Sequence, residues 1–482
     1  MKITPNQNTS VSGDIIPQKR LITGCCRILS ITAVLYLLLT AASSANPQLF
    51  PVYPVIRNNV LFWEKIYSYY SINTAVIHDK TNPQIIYSAV SLLDSRHKYA
   101  KAYNQKKIKL VKNRYRRILI KLSQGKAGVK QLTRVKNLFP PNTAPQTFKK
   151  AADNIRDQRG LKENFIQGVV RSGAYITEIK SIFNIYGLPA ELAYLPHVES
   201  SFNVNALSKY GASGIWQFTR ETGKQYMQIN QAVDERRDPI VAARAAARLL
   251  RDNYNRLHSW PLAITAYNYG LSGMLRAKND QGSYEKIFSS YHEGYFKFAS
   301  RNFYSEFLAA VKVAKKLEKS QKLKLAKPIK TRSFRLPDYA SMPALCRYLR
   351  LSQEQIKKLN PALLPPVFTG KSYVPKNYLL HLPKSISLQT LQHIPASVYH
   401  SGQKASPYRV KKGDNLTSIA RKYGVSINSL IRLNRLGKNT GIKAGQILKI
   451  PIKGKKKASR PKIIRDANYK VKKRPGKGGS NP

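Results

Sequence analysis

Acidic residues are scarce in this chain of 482: 24 Asp and Glu stand against 83 Lys and Arg, a formal charge of +59. Such an imbalance says little about the fold and a good deal about partners, which should be polyanions. Nucleic acid is the usual partner for this balance. Zinc-ligand spacings, RNP-type aromatic runs and a P-loop are all missing, however, so no nucleic acid is expected and an anionic cell envelope is the simpler reading. Cysteine is almost absent as well, with only Cys25, Cys26 and Cys346. The first two lie in the N-terminal segment and Cys346 is alone after it, which excludes an internal disulfide in the rest of the chain. No metal-ligand set and no Ser/His/Asp triad is visible, so no metal or other cofactor is expected.

Long hydrophobic runs are also lacking. The apolar stretch Ile28 to Leu39 follows Lys19, Arg20 and Arg27 and breaks into TAASSANP. About a dozen residues is short for a membrane span and typical of a signal h-region. Ser43-x-Ala45 supplies small residues for cleavage before Asn46, which makes 1–45 a signal peptide and the protein exported; an uncleaved anchor is the alternative.

What is present is enough for a folded protein. A hydrophobic share of 42% with 10% aromatics rules out a mostly disordered chain, and the length suggests three or four units. Residues 46–150 read as a largely helical region: Val111, Tyr115, Ile118, Leu119 and Leu122 fall at helical spacing among basic residues. Pro140-Pro141 and Pro145 mark a boundary. Residues 151–325 form a run of helix patterns, with Gly187-Leu188-Pro189 and Asp238-Pro239 as stop and start signals, and predict an all-α domain. Segments 333–385 and 407–453 contain a diverged repeat. Met342, Leu345, Cys346, Leu349, Leu351, Ser352, Ile356, Leu359 and Asn360 match Leu416, Ile419, Ala420, Tyr423, Val425, Ser426, Leu430, Leu433 and Asn434 at one constant offset. Residues 454–482 read as a basic, disordered tail, a candidate contact for anionic envelope polymers or a membrane surface.

Cleaving a glycosidic bond needs a carboxylic acid in a pocket that raises its pKa, usually with a second carboxylate as nucleophile or base. The stretch LPHVESSF (195–202) offers Glu199 at the end of an apolar helix. Alone that is weak, because a Glu on an amphipathic helix is usually solvated. Downstream come SKYGASGIWQF (208–218) and AYNYG (266–270). Glu199-Ser200, Ser208 to Gln217 and Ala266-Tyr267-Asn268 together resemble the lytic transglycosylases with a goose-type-lysozyme-like catalytic domain, most of all the membrane-bound lytic murein transglycosylase D group with its LysM repeats. The resemblance covers roughly 160–320 and the two repeats.

This resemblance implies a multidomain, mostly α chain: a lysozyme-like all-α catalytic domain followed by small β-α-α-β modules, acting on peptidoglycan glycan strands in the periplasm or cell envelope. Glu199 would be general acid and then base. Ser200 and Gln217 would orient its carboxyl and the sugar, and Tyr267 and Asn268 would contact the reacting MurNAc. Trp216 would either stack on a sugar or fill the core. Gly211 and Gly214 would let backbone approach the glycan or simply make turns. The family's site tyrosine in the following helix falls on Phe303, with Tyr304 beside it, and Tyr304 is favoured as the only tyrosine there. His197 reads as a packed or solvated residue.

No second carboxylate is evident around Glu199: Glu191 lies two turns away and Glu221 opens another segment, so a partner would have to be an acid from distant sequence, such as Asp234, Glu235 or Asp238. A single carboxylate suits transglycosylation, in which the C6 hydroxyl of MurNAc attacks C1 and leaves a 1,6-anhydro end. The second repeat closely resembles a LysM module, with Gly413, Asp414, Asn415 and Leu416 in the first loop of its expected glycan groove; turn and N-cap chemistry is their structural alternative. The first repeat lacks K-G-D and is only LysM-like. The rival functions are a goose-type-like lysozyme hydrolysing the same bond and a non-catalytic glycan-binding scaffold.

Overall fold

A computed structural model of the chain describes residues 49–126, 130–404, 406–437 and 441–450. The segment read as a signal peptide and the basic tail lie outside the described residues. The chain divides into two compact units, Met1–Pro51 and Val52–Pro482, and every element below belongs to the second. Among the described residues no helix is long and apolar enough to cross a membrane.

The region up to residue 150 contains α1 (Arg57–Ser68), β1 (Thr74–Asp79), β2 (Ile86–Ser91), α2 (Ala100–Ser123), α3 (Lys130–Lys136) and α4 (Pro145–Asp153), and β3 (Ile155–Arg159) follows at once. The expectation of a helical region is therefore corrected in one respect: an antiparallel sheet of order β2-β1-β3 runs through it and across the expected boundary at 150/151. Its central strand, TAVIHD, is buried at five of six positions, so the alternation that marks a half-exposed strand is missing. The sheet and α2 to α4 enclose a core of Ile77, Tyr87, Tyr115, Leu119, Val135 and Phe148 among others.

The helical body follows as α5 (Lys162–Ser172), α6 (Ile176–Ile185), α7 (Leu195–Ser200), α8 (Arg220–Tyr226), α9 (Pro239–Leu257), α10 (Trp260–Tyr269), α11 (Leu271–Gln281), α12 (Tyr284–Ser290) and α13 (Phe298–Glu318). Asp238 caps α9 by accepting from the amides of Ile240 and Val241, with Pro239 in the first turn, the chemistry expected of an Asp-Pro start. The long α13 packs on α1, α5, α7 and α10. Between α1 and α13 the contact is buried and polar: the Asn59 side-chain amide donates to Asn302 Oδ1 at 2.7 Å, and Trp63 Nε1 donates to the same oxygen at 3.4 Å. The N-terminal helix is thus part of the body that carries Glu199.

Both repeats fold as β-α-α-β. In the first, β4 (Thr331–Arg335) pairs antiparallel with β6 (Leu379–Pro383) around α14 (Met342–Leu349) and α15 (Gln353–Leu359). It also carries β5 (Tyr339–Ala340), a short α16 (Pro365–Phe368), α17 (Leu388–Gln392) and β7 (Tyr399–His400), the last paired with β5. In the second, β8 (Ser406–Arg409) pairs with β9 (Ile447–Ile450) around α18 (Leu416–Tyr423) and α19 (Ile427–Leu433).

Candidate active site

Glu199 sits in the last turn of α7, and the chain behind it is held in an unusual conformation. Ser201 (φ 50°) and Phe202 (φ 56°) are both left-handed, a geometry that costs non-glycine residues free energy and persists only when surroundings hold it. Arg171 supplies the hold, its Nε and Nη2 donating to the Ser201 carbonyl at 3.1 and 2.7 Å. On the opposite side His197 is buried and stacked on Phe165, and burial lowers its pKa to about 3. It is a packed residue.

Glu199 as a residue is partly buried, and its carboxyl is enclosed. Burial first, and then the neighbouring carboxyl of Glu306, raise its pKa to about 8, so the group carries its proton at neutral pH. Glu306 is the second carboxylate that the sequence did not reveal. It lies on α13, half-buried, and burial raises its pKa to about 8 against the opposing charge of Arg156 on β3. Tyr67 of α1 is fully enclosed, stacks on Phe165, and has its pKa raised well above the ordinary value by burial, Glu306 and Glu199 in that order. A neutral phenol therefore neighbours both acids.

The loop of residues 208–218 faces this group and is built by its own hydrogen bonds. Ser208 Oγ accepts from the amides of Ala212 (2.9 Å) and Tyr210 (3.2 Å). Ser200 Oγ donates to the Ile215 carbonyl at 2.9 Å, fastening the loop to the end of α7. Gln217, left-handed at φ 49°, donates from Nε2 to the Gly214 carbonyl at 2.8 Å. The Tyr267 hydroxyl donates to the Trp216 carbonyl at 2.8 Å, and after burial Glu199 is the main influence on its pKa. Arg236 braces the loop from beneath: it pairs with Asp234 and donates from Nη1 to the carbonyls of Gly211 (2.7 Å) and Phe218 (3.0 Å).

The structure thus brings Ser200 and Tyr267 beside Glu199, while the Gln217 side chain turns back onto carbonyls of its own loop region. Asn268 is exposed beyond them, and its Oδ1 accepts from Ser300 at 2.8 Å. Two expectations are corrected. Trp216 is fully buried, stacked on Phe183 at 5.6 Å and 12°, with Nε1 donating to the Pro239 carbonyl, so it fills the core and offers no face to a sugar. Tyr304 is also fully buried, in an aromatic group with Tyr284 and Phe307; two positions before Glu306, it is turned about 200° from it on the helix. Phe303 shares the Glu306 side of α13, and the tyrosine hydroxyl that neighbours both acids comes from Tyr67. Gly211 is a turn with open space, whereas a Cβ at Gly214 would collide with the Arg236 carbonyl, so its close approach is to protein.

Of the other acids considered, Glu191 is engaged with Lys315, Asp234 with Arg236, Asp238 at its cap, and Glu235 accepts from the Gln228 amide, while Glu221 is exposed in the first turn of α8. No local pattern announces Glu306 or Tyr67. Each is one polar residue on a helix, brought to the site by packing.

In the second repeat, Asp414 accepts from the Tyr408 hydroxyl (2.6 Å) and the Lys411 amide (2.8 Å), Asn415 caps α18 through the Ser418 amide, Gly413 takes φ 88°, and Leu416 is buried in the module's core. Turn and cap chemistry thus occupies Gly413, Asp414 and Asn415. Leu416, expected at the groove, is a core residue.

Comparison with known proteins agrees with this division. A family described as the transglycosylase SLT domain matches residues 177–289, which include Glu199 and Tyr267 but neither Tyr67 nor Glu306, and the LysM domain matches 408–451. Membrane-bound lytic murein transglycosylase D of Escherichia coli is 26% identical over 314 residues, covering 62% of this chain and 69% of its own. The N-acetylmuramoyl-L-alanine amidase XlyB of Bacillus subtilis is 45% identical over 47 residues, 10% of this chain and 15% of that one. A solved inactive mutant of the lytic transglycosylase Slt of Pseudomonas aeruginosa is 20% identical with a TM-score of 0.25; the alignment covers 31% of this chain and only 25% of that one. The chain carries a transglycosylase SLT domain and a LysM domain, and over 62% of its length it is similar to a membrane-bound lytic murein transglycosylase.

Proposed function

We propose that this enzyme cleaves the MurNAc-β-1,4-GlcNAc bond of peptidoglycan with Glu199 as acid and then base, leaving 1,6-anhydro-MurNAc ends. The observation that carries the reading is the Glu199 carboxyl, protonated at neutral pH because burial raises its pKa to about 8, at the end of a braced helix. It gives its proton to the glycosidic oxygen as the C1–O bond breaks. The MurNAc C6 oxygen, tethered to the reacting ring and so at high effective concentration, forms the new bond to C1. Its proton returns to the Glu199 carboxylate, which restores the enzyme.

One observation favours hydrolysis instead. Glu306 is a second carboxyl beside Glu199, and a glycoside hydrolase uses such a partner as nucleophile or as base for water. Either role requires the carboxylate, whereas burial keeps Glu306 protonated at neutral pH. As a neutral group it is suited to orienting Glu199 or a sugar hydroxyl. We take Ser200, Gln217, Tyr267 and Asn268 as the shell around the reacting sugar, with the second repeat holding the strand; Gly413, Asp414 and Asn415 shape its first loop.

Digestion of isolated sacculi followed by mass measurement tests the reading, because an anhydro end is lighter than a hydrolysed end by one water. Glu199→Gln should cost at least roughly 10²–10⁴-fold in cleavage while sacculus binding stays unchanged. A digest dominated by reducing ends would assign Glu306 the hydrolytic role and promote the lysozyme reading.

A further inference from the structure

Residues 95–152 contain 17 Lys and Arg and no Asp or Glu. Most of this excess is on α2, a helix of 24 residues whose buried face (Tyr115, Ile118, Leu119, Leu122) lies in its second half. Ahead of Tyr115 only Ala100 is buried. At 100° per residue, Tyr99, Tyr103, Lys106, Lys107, Leu110, Arg114, Arg117 and Lys121 fall within about 60° of one line, away from that buried face. Three of them are large apolar or aromatic side chains left in the open: Tyr99 is 64% exposed, Tyr103 49% and Leu110 61%. Lys98 lies over the Tyr99 ring and Lys107 over the Tyr103 ring.

We propose that this stripe of α2 docks on the anionic headgroup surface of a lipid bilayer. A polyanion in water would be served by the cations alone and gives no reason to expose Leu110 and two tyrosines. A bilayer interface takes both: aromatic rings and leucine enter the headgroup boundary while Lys and Arg meet the phosphates. Asp94, just ahead of α2, is paired with Arg96, and Asp157 with Lys112; Asp153, at the end of α4, is exposed. Lys112 and the Arg116 guanidinium, which donates to the Ala152 carbonyl, hold the helix to its domain and are not part of the stripe.

The test is co-sedimentation of the full chain with vesicles of phosphatidylcholine alone and of phosphatidylcholine mixed with phosphatidylglycerol. Binding is expected only to the mixed vesicles. The triple variant Lys106→Glu, Lys107→Glu, Arg114→Glu should lower it more than tenfold, because one basic group near an anionic surface contributes roughly fivefold. Tyr103→Ser with Leu110→Ser should lower it severalfold at unchanged charge. Both sets change exposed side chains, and circular dichroism checks that the fold survives. Binding of both variants like the parent chain would overturn the proposal. So would loss of binding to polyphosphate and vesicles alike in the charge variant with no effect of the apolar one, which would make the stripe a polyanion site.

Discussion

The two β-α-α-β repeats share their internal construction and differ in what they are built into. In both, one asparagine ties the second helix to the last strand. Asn360 donates to the carbonyls of Ile356 and His381 and accepts from the His381 amide; Asn434 does the same with Leu430 and Lys449. Ser352 and Ser426 cap the equivalent helices. The first copy has a longer segment after its asparagine, however, and that segment reaches out. Leu363 pairs with Val233, the Leu364 amide donates to the Ala232 carbonyl, and the Ala362 carbonyl accepts from the Asp234 amide. Ala232 and Val233 are part of that repeat's hydrophobic core, whereas the second copy has a core of its own. Asp234 is the partner of Arg236 under the 208–218 loop. A shared pattern therefore specifies the module, and the insertion decides that one copy buttresses the segment whose Asp234 holds Arg236 under the 208–218 loop.

The sharpest way to break this comparison is to ruin each core at the same place. Ile356 and Leu430 are matched residues, both fully buried. An aspartate at either should cost more than about 4 kcal/mol of module stability, an unpaired charge in an apolar core. Ile356→Asp should also depress cleavage of short soluble glycans, because it frees the strand under Asp234. Leu430→Asp should leave that cleavage intact and weaken sacculus binding, since only tethering is lost. Equal effects on soluble-substrate turnover would end the distinction.

Next in size is the link itself. Arg236 and Asp234 are both nearly sealed from solvent and exchange two hydrogen bonds of 2.9 and 2.6 Å. Arg236→Ala should destabilise the body by about 3–5 kcal/mol, the range for removing one partner of a buried pair, and should slow cleavage by loosening the loop that carries Gln217. Thermal unfolding and turnover measured on one preparation check both. A smaller, symmetric effect belongs to the asparagines. Asn360→Ala and Asn434→Ala should each cost about 1–3 kcal/mol of their own module, leaving backbone groups of the last strand without partners. Amide exchange on β6 and β9 reads each module separately, and a large inequality would mean that the shared clamp is not equivalent.

The repeats are legible because a constant offset between nine matched residues is visible without structure, and Glu199 stands out as a candidate because three motifs lie in order around it. The sequence is silent where packing decides. The strand β3, IRDQR, has no hydrophobic alternation, and nothing in α1 marks it as the helix that brings Tyr67 beside Glu199 and Glu306. Trp216 shows why a motif position is not a role: the motif placed it next to Gln217, and the fold turned it into the core. Glu306 is not legible beside Glu199 because its helix begins about a hundred residues later and meets α7 only in the folded body.

The smallest expected effect separates the two regions by pH. A carboxyl whose folded pKa exceeds its ordinary value binds more protons folded than unfolded between the two, so stability falls as pH rises through that interval. For Glu199 and Glu306 the interval runs from 4.5 to about 8. His197 and His78 act in the opposite sense: burial lowers them from 6.5 to about 3 and about 4, so the folded body gains stability as pH rises towards 6.5. The body should then be most stable between pH 4.5 and 6.5 and should weaken above that. In the second module the shifted groups are Asp414, lowered from 3.8, and Lys422 and Tyr423, raised from 10.5 and 10.0. All three titrate outside the interval, and its stability should be flat from pH 4.5 to 8. The chain provides its own reporter, because its three tryptophans, Trp63, Trp216 and Trp260, all lie in the body. Tryptophan fluorescence during urea unfolding follows the body alone, and amide exchange on α19 follows the module. Glu306→Gln should remove part of the body's decline above pH 6.5 and leave the module unchanged. An unaltered slope in that variant would show that the Glu306 carboxyl is ionised in the folded enzyme, the state a hydrolytic mechanism needs.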